Sequence, residues 1–292
     1  MEGETFAVIG GDKRCAYVAQ LLIKERKTVK TVGLELSGIA DAAHICTLNE
    51  ALATSDYIIL PLPLLDTTGR LLAKFTSERL DVYSIISRAN REAVLFAGMI
   101  PPSVFEHAER QHKELYDYYQ REELQRMNAV PTAEGALEIL MNRLPQTIFG
   151  SSILVIGFGR TAQSVAVVLR AVGADVCVCA RKPEALAHAI TLGMRALPAE
   201  RLGNEKHSQY DAVVNTVPAR IVTAQVLSRL RSDCFVLDLA SAPGGTDFEY
   251  AKRNGFDTEL ALSLPGRVAP KTAGGIIKDT VLNMIEERGH QL

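Results

Sequence analysis

The sequence Ser152-Ile-Leu-Val-Ile156, followed by Gly157-Phe-Gly159-Arg-Thr-Ala162, reads as a buried strand, a glycine-rich turn and the start of a helix. Doubly wound domains that bind a dinucleotide use this order. Gly157 permits the tight turn, Gly159 lets backbone N–H groups approach the phosphates, and Ala162 allows close helix packing. A helix over 162–172 would point its positive end at the pyrophosphate. The pattern predicts dinucleotide binding, and the alternative is a doubly wound domain that binds none.

The start of that helix supplies two further candidates. Arg160 and Thr161 follow the second glycine directly. We predict that they bind the cofactor together with Gly157 and Gly159, because the first turn of a helix carries N–H groups that have no partner within the helix.

The residues after the next strand bear on the choice of cofactor. A strand is expected over 175–180, and the chain then continues Arg181-Lys182. A cofactor without a 2′-phosphate usually meets an Asp or Glu at this point. Because two cations stand there instead, the sequence favours NADP over NAD, with Arg181 and Lys182 as cofactor-binding residues. The alternative is that both are ordinary solvated charges.

Composition limits the classes of partner. The 292 residues are enough for two domains, and 32 Lys and Arg against 34 Asp and Glu leave a formal charge of −2. No strong field therefore attracts nucleic acid or an anionic membrane. No apolar run is long enough to cross a bilayer, and the N-terminus lacks the regions of a signal peptide. We expect small-molecule chemistry in the cytoplasm.

The five cysteines are scattered and odd in number, which argues against a disulfide framework. Cys177 and Cys179 lie two apart on an expected strand and therefore face the same side. Core packing explains this spacing more simply than metal ligation, because no second Cys or His pair follows at suitable spacing. We predict reduced thiols and no metal site.

Short β-type runs, each followed by a helical pattern, occur in two successive series. They predict an α/β protein of two doubly wound, parallel-sheet (Rossmann-like) domains with a cleft between them. The expected strands cover 6–9, 29–34, 57–60, 94–97, 153–156, 176–179, 212–215, 235–239 and 258–262. The predicted domains are 1–130 for substrate or partner and 131–272 for NADP. A helix within 273–292 is expected to pack back on the first domain.

A connecting helix is expected over 132–144, with Thr132 as its N-cap and Pro145 just beyond its end. Thr132 and Glu134 would then lie in its first turn, near the hinge. We predict that Thr132 binds substrate and that Glu134 is catalytic. The alternative is that Glu134 only caps the helix.

Six motifs follow one another along nearly the whole chain: V-I-G-G-D-x-R, N-A-V-P-T-A-E-G, G-F-G-R-T, N-T-V-P, D-L-A-S-A-P-G-G-T-D-F and L-P-G-R-V-A-P-K-T-A-G. Together they resemble the A-subunit family of bacterial dipicolinate synthase. The N-T-V-P motif alone is shared with other two-domain dehydrogenases, whereas its combination with the last two motifs is specific.

The resemblance implies a sporulation enzyme of the mother cell that works with a flavoprotein-like B subunit. The reaction would oxidise dihydrodipicolinate, derived from 4-hydroxy-tetrahydrodipicolinate, to dipicolinate. Removal of a hydride and a proton from the ring needs a nicotinamide acceptor and a base. A small substrate with two carboxylates also needs cationic or N–H donors. The sequence is compatible with a homo-oligomer but does not require one.

Two residues after the first strand are candidates for substrate contact. Arg14 is predicted to clamp a carboxylate of the substrate, and Asp12 to position the substrate or take a proton. The alternative is that Asp12 caps a helix from Arg14 onward and that Arg14 is a surface charge.

Loops after two later strands are expected to line the cofactor and the substrate. Asn215, Thr216 and Pro218 end a strand on the nicotinamide side of this kind of fold and are predicted to bind the cofactor. Ser241 is predicted to be catalytic through its hydroxyl. The alternative is that Ser241 only serves a turn, since Ala-Pro-Gly-Gly follows it.

The segment before the last helix carries three further candidates. Arg267 and Thr272 are predicted to bind substrate and Lys271 to be catalytic, beside an anion site formed by the N–H groups of 272–274. The alternative is a flexible charged loop.

The histidines argue against 2-hydroxyacid dehydrogenase chemistry, which needs an acid–base His late in the cofactor domain. The sequence has none between His207 and His290. All six are predicted to be non-catalytic and to lie in helices or surface loops: His44, His107, His112, His188, His207 and His290. Two alternatives stay open. One is a shikimate-dehydrogenase-like NADP reductase, for which no convincing Lys-Asp pair is found, and the other is a non-catalytic NADP-binding subunit of a flavoprotein complex.

Overall fold

The computed structural model describes residues 3–39 and 44–289. The chain divides into two compact units, the first formed by 1–128 with 269–292 and the second by 129–268. In the described residues, twelve strands form two six-stranded sheets, and every strand pair is parallel. The predicted fold class is confirmed for both halves of the chain.

The sheet of the first unit has the strand order β3-β2-β1-β4-β5-β6. Its strands are β1 (Thr5–Ile9), β2 (Thr28–Val32), β3 (His44–Ile45), β4 (Tyr57–Ile59), β5 (Val94–Ala97) and β6 (Glu114–Asp117). The inner strands β1, β4 and β5 consist of apolar residues that are buried along almost their whole length. Such unbroken apolar runs form because helices cover both faces of a parallel sheet.

Helices connect the parallel strands of the first unit. They are α1 (Lys13–Lys24), α2 (Leu48–Thr54), α3 (Val82–Arg88) and α4 (Pro102–Arg110), and the chain leaves through α5 (Glu122–Arg143). One apolar core lies on each face of this sheet. Four residues from the C-terminal part of the chain belong to the core that contains α1.

The second unit repeats the doubly wound pattern with the strand order β12-β11-β10-β7-β8-β9. Its strands are β7 (Ser152–Ile156), β8 (Asp175–Ala180), β9 (Arg195–Pro198), β10 (Ala212–Asn215), β11 (Phe235–Asp238) and β12 (Thr258–Leu260). Its helices are α6 (Arg160–Ala171), α7 (Pro183–Thr191), α8 (Ala224–Leu227), α9 (Phe248–Arg253) and α10 (Leu264–Val268). The order of strands reverses between β7 and β10, and doubly wound sheets bind ligands at such a reversal.

The last described helix, α11 (Pro270–Gly289), belongs to the first unit and packs along α1. Ile277 and Val281 lie in the same core as Val18 and Leu22 of α1. Lys278 of α11 also forms an ion pair with Glu25 at the end of α1. The first sheet is therefore covered partly by chain from beyond the second unit.

The connecting helix and the final helix both start earlier than the sequence predicts. The connecting helix is expected to begin after Thr132, but α5 begins at Glu122 and contains Pro131 in its interior. The predicted N-cap role of Thr132 is therefore wrong. The final helix begins at Pro270, and Ala273 N–H already donates to Ala269 C=O. The predicted start of the connecting helix is misplaced because Pro131 is read as the mark of a helix start. A proline is common at the first position of a helix but can also be tolerated inside one.

The two cysteines of β8 confirm the predicted alternation of the strand. Cys177 and Cys179 lie in one core, whereas Val176 and Val178 lie in the core on the opposite face. Burial raises the pKa of the Cys179 thiol to about 12. Both side chains are packing residues.

Among the described residues, every helix is too short or too polar to span a lipid bilayer.

We predict opposite effects of alanine at two neighbouring glycines of α11. An ideal Cβ on Gly274 would lie 2.6 Å from Arg14 C=O and 2.9 Å from Tyr17 Cβ, whereas the nearest atom to a Cβ on Gly275 is Leu21 Cδ1 at 3.6 Å. Gly274→Ala should lower the free energy of unfolding by about 1–3 kcal/mol through overpacking. Gly275→Ala should be neutral or stabilising by up to about 1 kcal/mol. Urea unfolding followed by circular dichroism measures both, and equal effects would contradict the close packing of α11 on α1.

Candidate functional site

The turn after β7 is shaped by the protein's own side chains. Gly157 has φ +99°, and its N–H donates to Cys179 C=O at 2.8 Å. A Cβ at this position would clash with Thr216 Oγ1. Thr216 Oγ1 in turn donates to Ile156 C=O at 2.9 Å, which links the ends of β7 and β10. Gly157 is thus required by the backbone conformation and by the approach of Thr216.

Gly159 has a different environment. It is the N-cap of α6 in extended conformation, with φ −76°, and no atom lies within 4 Å of an ideal Cβ built on it. The first turn of α6 begins at Arg160 and presents backbone N–H groups without a side-chain cap. Open space in front of a twelve-residue helix fits a phosphate group, which the N–H groups and the helix dipole favour.

The end of β8 is cationic and exposed. Arg181 and Lys182 follow the strand directly, and both side chains face solvent. Lys182 is the N-cap of α7 and lies 3.9 Å from Glu184 in the first turn of that helix. Both side chains of this pair are solvated, so the attraction to Glu184 restricts Lys182 only weakly. A cationic surface therefore borders the glycine turn on its β8 side.

The loops after β10 and β11 are joined by a fully buried carboxylate. Asp238 Oδ1 accepts from Asn215 Nδ2 and Ala240 N–H, both at 3.0 Å. Its Oδ2 accepts from Gly245 N–H at 2.8 Å and from Thr246 Oγ1 at 2.6 Å. We call these five residues the Asp238 network. Asn215 and Asp238 are 0% exposed, so both are inner members of the site and neither points into solvent.

Sequence reasoning missed Asp238, although a signal was present. An Asp that ends a strand of apolar residues is either exposed or satisfied by several donors. Here the strand Phe235–Asp238 is buried throughout, which requires the second case. The predicted site residues nearest to this network lie closer to the protein surface than Asn215 and Asp238. Pro218 and Ser241 are exposed, and Thr216 is partly buried. Ser241 C=O accepts from Gly244 N–H at 2.9 Å, as a turn requires.

At the carboxyl edge of the first sheet, Asp12 and Arg14 form a buried pair. Asp12 accepts from Arg14 N–H at 2.9 Å and so caps α1. The same carboxylate binds the guanidinium, at 3.0 Å from Nε and 2.8 Å from Nη2. Nη2 also donates to Leu62 C=O. The alternative of Asp12 as a cap is correct, but Arg14 as a surface charge is wrong, because the residue is only 5% exposed.

The charge of Arg14 is secured by its partner. Burial lowers the pKa of the guanidinium, but the hydrogen bonds and charge of Asp12 more than compensate, so the pKa is raised above its usual value. Within the described part of the chain, the hydrogen bonds of this side chain use Nε and Nη2, which leaves Nη1 for an anionic ligand. A buried, permanently charged guanidinium beside loop ends is suited to bind a carboxylate.

A second carboxylate orders the neighbouring loops of the same edge. Asp117, at the end of β6, accepts from Met99 N–H and Ile100 N–H, both at 3.1 Å. Met99 has φ +57° and is 46% exposed. Nearby, Tyr118 is fully buried and donates to Leu60 C=O at 2.9 Å. The ends of β4, β5 and β6 are thus held by side chains rather than by further secondary structure.

The other predicted site residues lie apart from the glycine turn, the Asp238 network and the Asp12–Arg14 pair, each within its own unit. Glu134 is exposed in the interior of α5, well beyond the first turns of the helix. Arg267 lies in α10 and lines a cavity of about 220 Å³ with Glu138, Arg143 and Glu259. Glu259 lies in β12, three strand positions from β7, so strand spacing alone separates it laterally by roughly 14 Å from the strand that leads into the glycine turn.

Lys271 and Thr272 lie in the first turn of α11, where Lys271 is exposed. Of the N–H groups predicted to form an anion site at 272–274, that of Ala273 is used within the helix, which has already begun at Pro270. Thr132 is partly buried in α5. The structure therefore groups Arg14 with Asp12, and Asn215 and Thr216 with the glycine turn, but it does not group all candidates.

The histidines do not join either group. His207 is buried, its Nε2 lies 2.8 Å from Leu202 C=O, and its ring packs on Tyr210. The expectation of a surface position is thus wrong for His207. His290 lies outside the described residues. Within 3–39 and 44–289, His, Cys, Asp and Glu side chains nowhere gather in threes that could hold a metal ion.

The fold and the glycine turn together define the class of protein: a two-domain chain of the NAD(P)-dehydrogenase-like fold, with Rossmann-like units. Residues 5–119 match the family described as the N-terminal domain of the dipicolinate synthase A subunit. The chain is 32% identical over 290 residues to the dipicolinate synthase A subunit of Bacillus subtilis (strain 168), covering 98% of this chain and 97% of that protein. It therefore belongs to the A-subunit family of dipicolinate synthase.

Solved structures agree with this assignment. The crystal structure of the dipicolinate synthase A subunit from Bacillus halodurans is similar with a TM-score of 0.88 and 32% identity, over 97% of each chain. A transhydrogenase from Sinorhizobium meliloti has a TM-score of 0.71 at 15% identity, over 98% of this chain and 94% of that one. The second likeness concerns the fold alone.

We predict that alanine at the two glycines of the turn separates folding from binding. Gly159→Ala should leave the thermal unfolding temperature unchanged, because the added methyl meets no protein atom. It should weaken the binding of a nicotinamide dinucleotide by about tenfold or more, since the methyl would occupy the space predicted for the phosphates. Isothermal titration calorimetry with NADP and with NAD measures the binding.

Gly157→Ala is the matched control, because its methyl would meet Thr216 at a backbone angle that alanine rarely adopts. It should lower the unfolding temperature. If Gly159→Ala binds NADP as tightly as the wild type, the turn does not hold the pyrophosphate.

Proposed function

We propose that this chain is the A subunit of a dipicolinate synthase and oxidises dihydrodipicolinate, derived from 4-hydroxy-tetrahydrodipicolinate, to dipicolinate with NADP. The observation that carries the proposal is 32% identity over nearly the full length to a protein of that name. The glycine turn of the second unit and the buried Arg14 of the first supply the two kinds of group that the reaction needs. The proposed setting is the mother-cell cytoplasm during sporulation, with possible self-association and with a flavoprotein-like B subunit.

The second unit would hold the cofactor. Gly157, Gly159, Arg160 and Thr161 would surround the pyrophosphate, and Asn215, Thr216 and Pro218 would lie toward the nicotinamide half. Such a cofactor would supply a nicotinamide ring as the hydride acceptor for oxidation of the substrate ring. The residues themselves orient the dinucleotide and exclude water, and the ring gains aromatic stabilisation as it is oxidised.

The first unit would bind the substrate through Arg14. Its guanidinium is pre-oriented by Asp12, so little side-chain freedom is lost when a carboxylate arrives. Asp12 serves as a cap and as an ion-pair partner, which makes it a positioning group more than a free base. Glu134, Ser241 and Lys271 remain our candidates for moving the proton, and Thr132, Arg267 and Thr272 for further substrate contact.

NADP is preferred to NAD in this proposal because of Arg181 and Lys182. Both side chains are exposed at the end of β8, where the ribose of the adenosine half lies in doubly wound folds. A 2′-phosphate would add charge-assisted hydrogen bonds with either cation.

The decisive experiment mixes the purified chain, with and without the B subunit, with NADP and freshly generated dihydrodipicolinate precursor. We expect NADPH and dipicolinate to appear in equal amounts. Absorbance measures the NADPH and chromatography measures the dipicolinate. Arg14→Gln should abolish turnover while NADP binding persists, because the two groups lie in different units. Product without NADPH would move the redox step to the partner and leave this chain a binding subunit. No product in either mixture would contradict the substrate.

The cofactor preference has its own prediction. Arg181→Ala should weaken NADP binding about 10- to 100-fold and leave NAD binding unchanged, since only NADP carries the 2′-phosphate. Arg253→Ala is the control, because it removes an exposed positive charge from α9 of the same unit. Calorimetric titration of both variants with both cofactors is the measurement. Equal losses for NADP and NAD would show that Arg181 does not read the phosphate.

A further inference from the structure

The Asp238 network ties the end of β10 to the loop that follows β11. Asp238 ends β11 and Asn215 ends β10, and the two residues face each other in register. Each loop then leaves its strand without regular secondary structure, over 216–223 and 239–246. The carboxylate of Asp238 is the point where hydrogen bonds from Asn215, at the end of β10, and from the second loop meet.

The two oxygens of the carboxylate accept hydrogen bonds from different donors. Oδ1 accepts hydrogen bonds from Asn215 Nδ2 at the end of β10 and from Ala240 N–H in the second loop, and Oδ2 accepts from Gly245 N–H and Thr246 Oγ1 at the far end of that loop. The loop from 240 to 246 is therefore closed on one side chain. Removing any donor would leave a buried carboxylate oxygen short of a partner, which is costly in the protein interior.

Asn215 connects the Asp238 network to the first loop through two hydrogen bonds with the backbone of Val217. Its Nδ2 also donates to Val217 C=O at 3.1 Å, and its Oδ1 accepts from Val217 N–H at 3.0 Å. The orientation of this amide is set by Asp238, because only the Nδ2 end can donate to a carboxylate. The exposed residues of this loop, Pro218, Ala219 and Arg220, follow directly after Val217.

The two loops are also packed backbone to backbone. Gly245 C=O accepts from Ile221 N–H and Val222 N–H, both at 3.0 Å. A Cβ on Gly245 would lie 2.5 Å from Asn215 Nδ2 and 2.6 Å from Ala219 C=O. Gly245 therefore takes part in both the network, through its N–H, and the packing of the two loops, through its C=O.

We propose that Asp238 is a positioning residue for the nicotinamide half of the bound dinucleotide. The inference rests on the proposed function, since it assumes that the second unit binds NADP. In doubly wound folds a dinucleotide spans the point where strand order reverses, which here would place its adenosine half over β7 and β8 and its other half over β10 and β11. Asp238 would act on the second half only, because its contacts lie at the end of β10 and in the loop after β11.

The test compares two ligands that share the adenosine half. NADP⁺ spans both halves of the site, whereas adenosine 2′,5′-bisphosphate occupies only the part near β7 and β8. Asp238→Asn keeps the size of the side chain but puts an N–H₂ where Oδ1 or Oδ2 now accepts. We expect it to weaken NADP⁺ binding by about tenfold or more and the affinity for the bisphosphate by less than about twofold. Calorimetric titration measures both affinities.

A purely structural role would move both affinities together with the thermal unfolding temperature. The fluorescence of bound NADPH gives a second readout, because it reports on the surroundings of the nicotinamide. We expect the emission of the Asp238→Asn complex to shift toward that of free NADPH. Parallel weakening of both ligands, or wild-type affinity for both, would overturn the proposal.

A conservative pair at Thr246 keeps the test decisive if Asp238→Asn does not fold. Thr246→Val removes the hydroxyl that donates to Oδ2, and Thr246→Ser retains it. The Val variant should show the selective loss for NADP⁺ and the Ser variant should restore wild-type binding. Equal behaviour of the two variants would contradict the role of the network.

The wild-type chain distinguishes this proposal from the proposed function. If it binds neither NADP⁺ nor the bisphosphate, the cofactor assignment fails and the positioning role fails with it. If it binds NAD⁺ instead, NAD⁺ and ADP serve as the matched ligands for the same variants, with the same expected difference. If it binds both ligands and the variants lose them in parallel, only the role of Asp238 fails.

Discussion

Burial of both faces of each parallel sheet is the constraint from which the placement of functional groups follows. The inner strands of the two units are covered by helices on both sides, so their side chains are apolar and their backbone groups are used in the ladders. A polar side chain that contacts a ligand can stand only where a strand ends. The glycine turn, the cations after β8 and the buried Arg14 all lie at such ends.

Carboxylates give order to these strand ends. Asp12, Asp117 and Asp238 each accept backbone N–H groups from the loops or helix starts that follow strands. A short Asp side chain has few rotamers to lose, and the hydrogen bonds it forms with N–H groups are strengthened by its charge. The loops thereby gain rigidity without adding secondary structure. Rigid loops hold ligand-binding groups closer to the geometry that they need in the complex.

The two units offer different physical means of binding an anion. The second unit offers backbone N–H groups at the start of α6, which need free space more than charge, and Gly159 supplies that space. The first unit offers a guanidinium whose charge is kept in the interior by Asp12. A pyrophosphate suits the N–H groups and a planar carboxylate suits the guanidinium. This division fits a protein that brings a dinucleotide and a small acid to one reaction.

Local patterns in the sequence by themselves determined the succession of the main strands, the glycine turn and the cationic end of β8, because apolar runs and special turn residues are local signals. The strands β3, β6 and β9 were missed, since they are short, largely polar or exposed, and placed at the sheet edges. Only the tertiary structure decided that Asp238 is buried beneath four donors and that Arg14 is an interior cation. The reason is that these contacts join residues up to 48 positions apart, and their partners become neighbours only after the strands have paired.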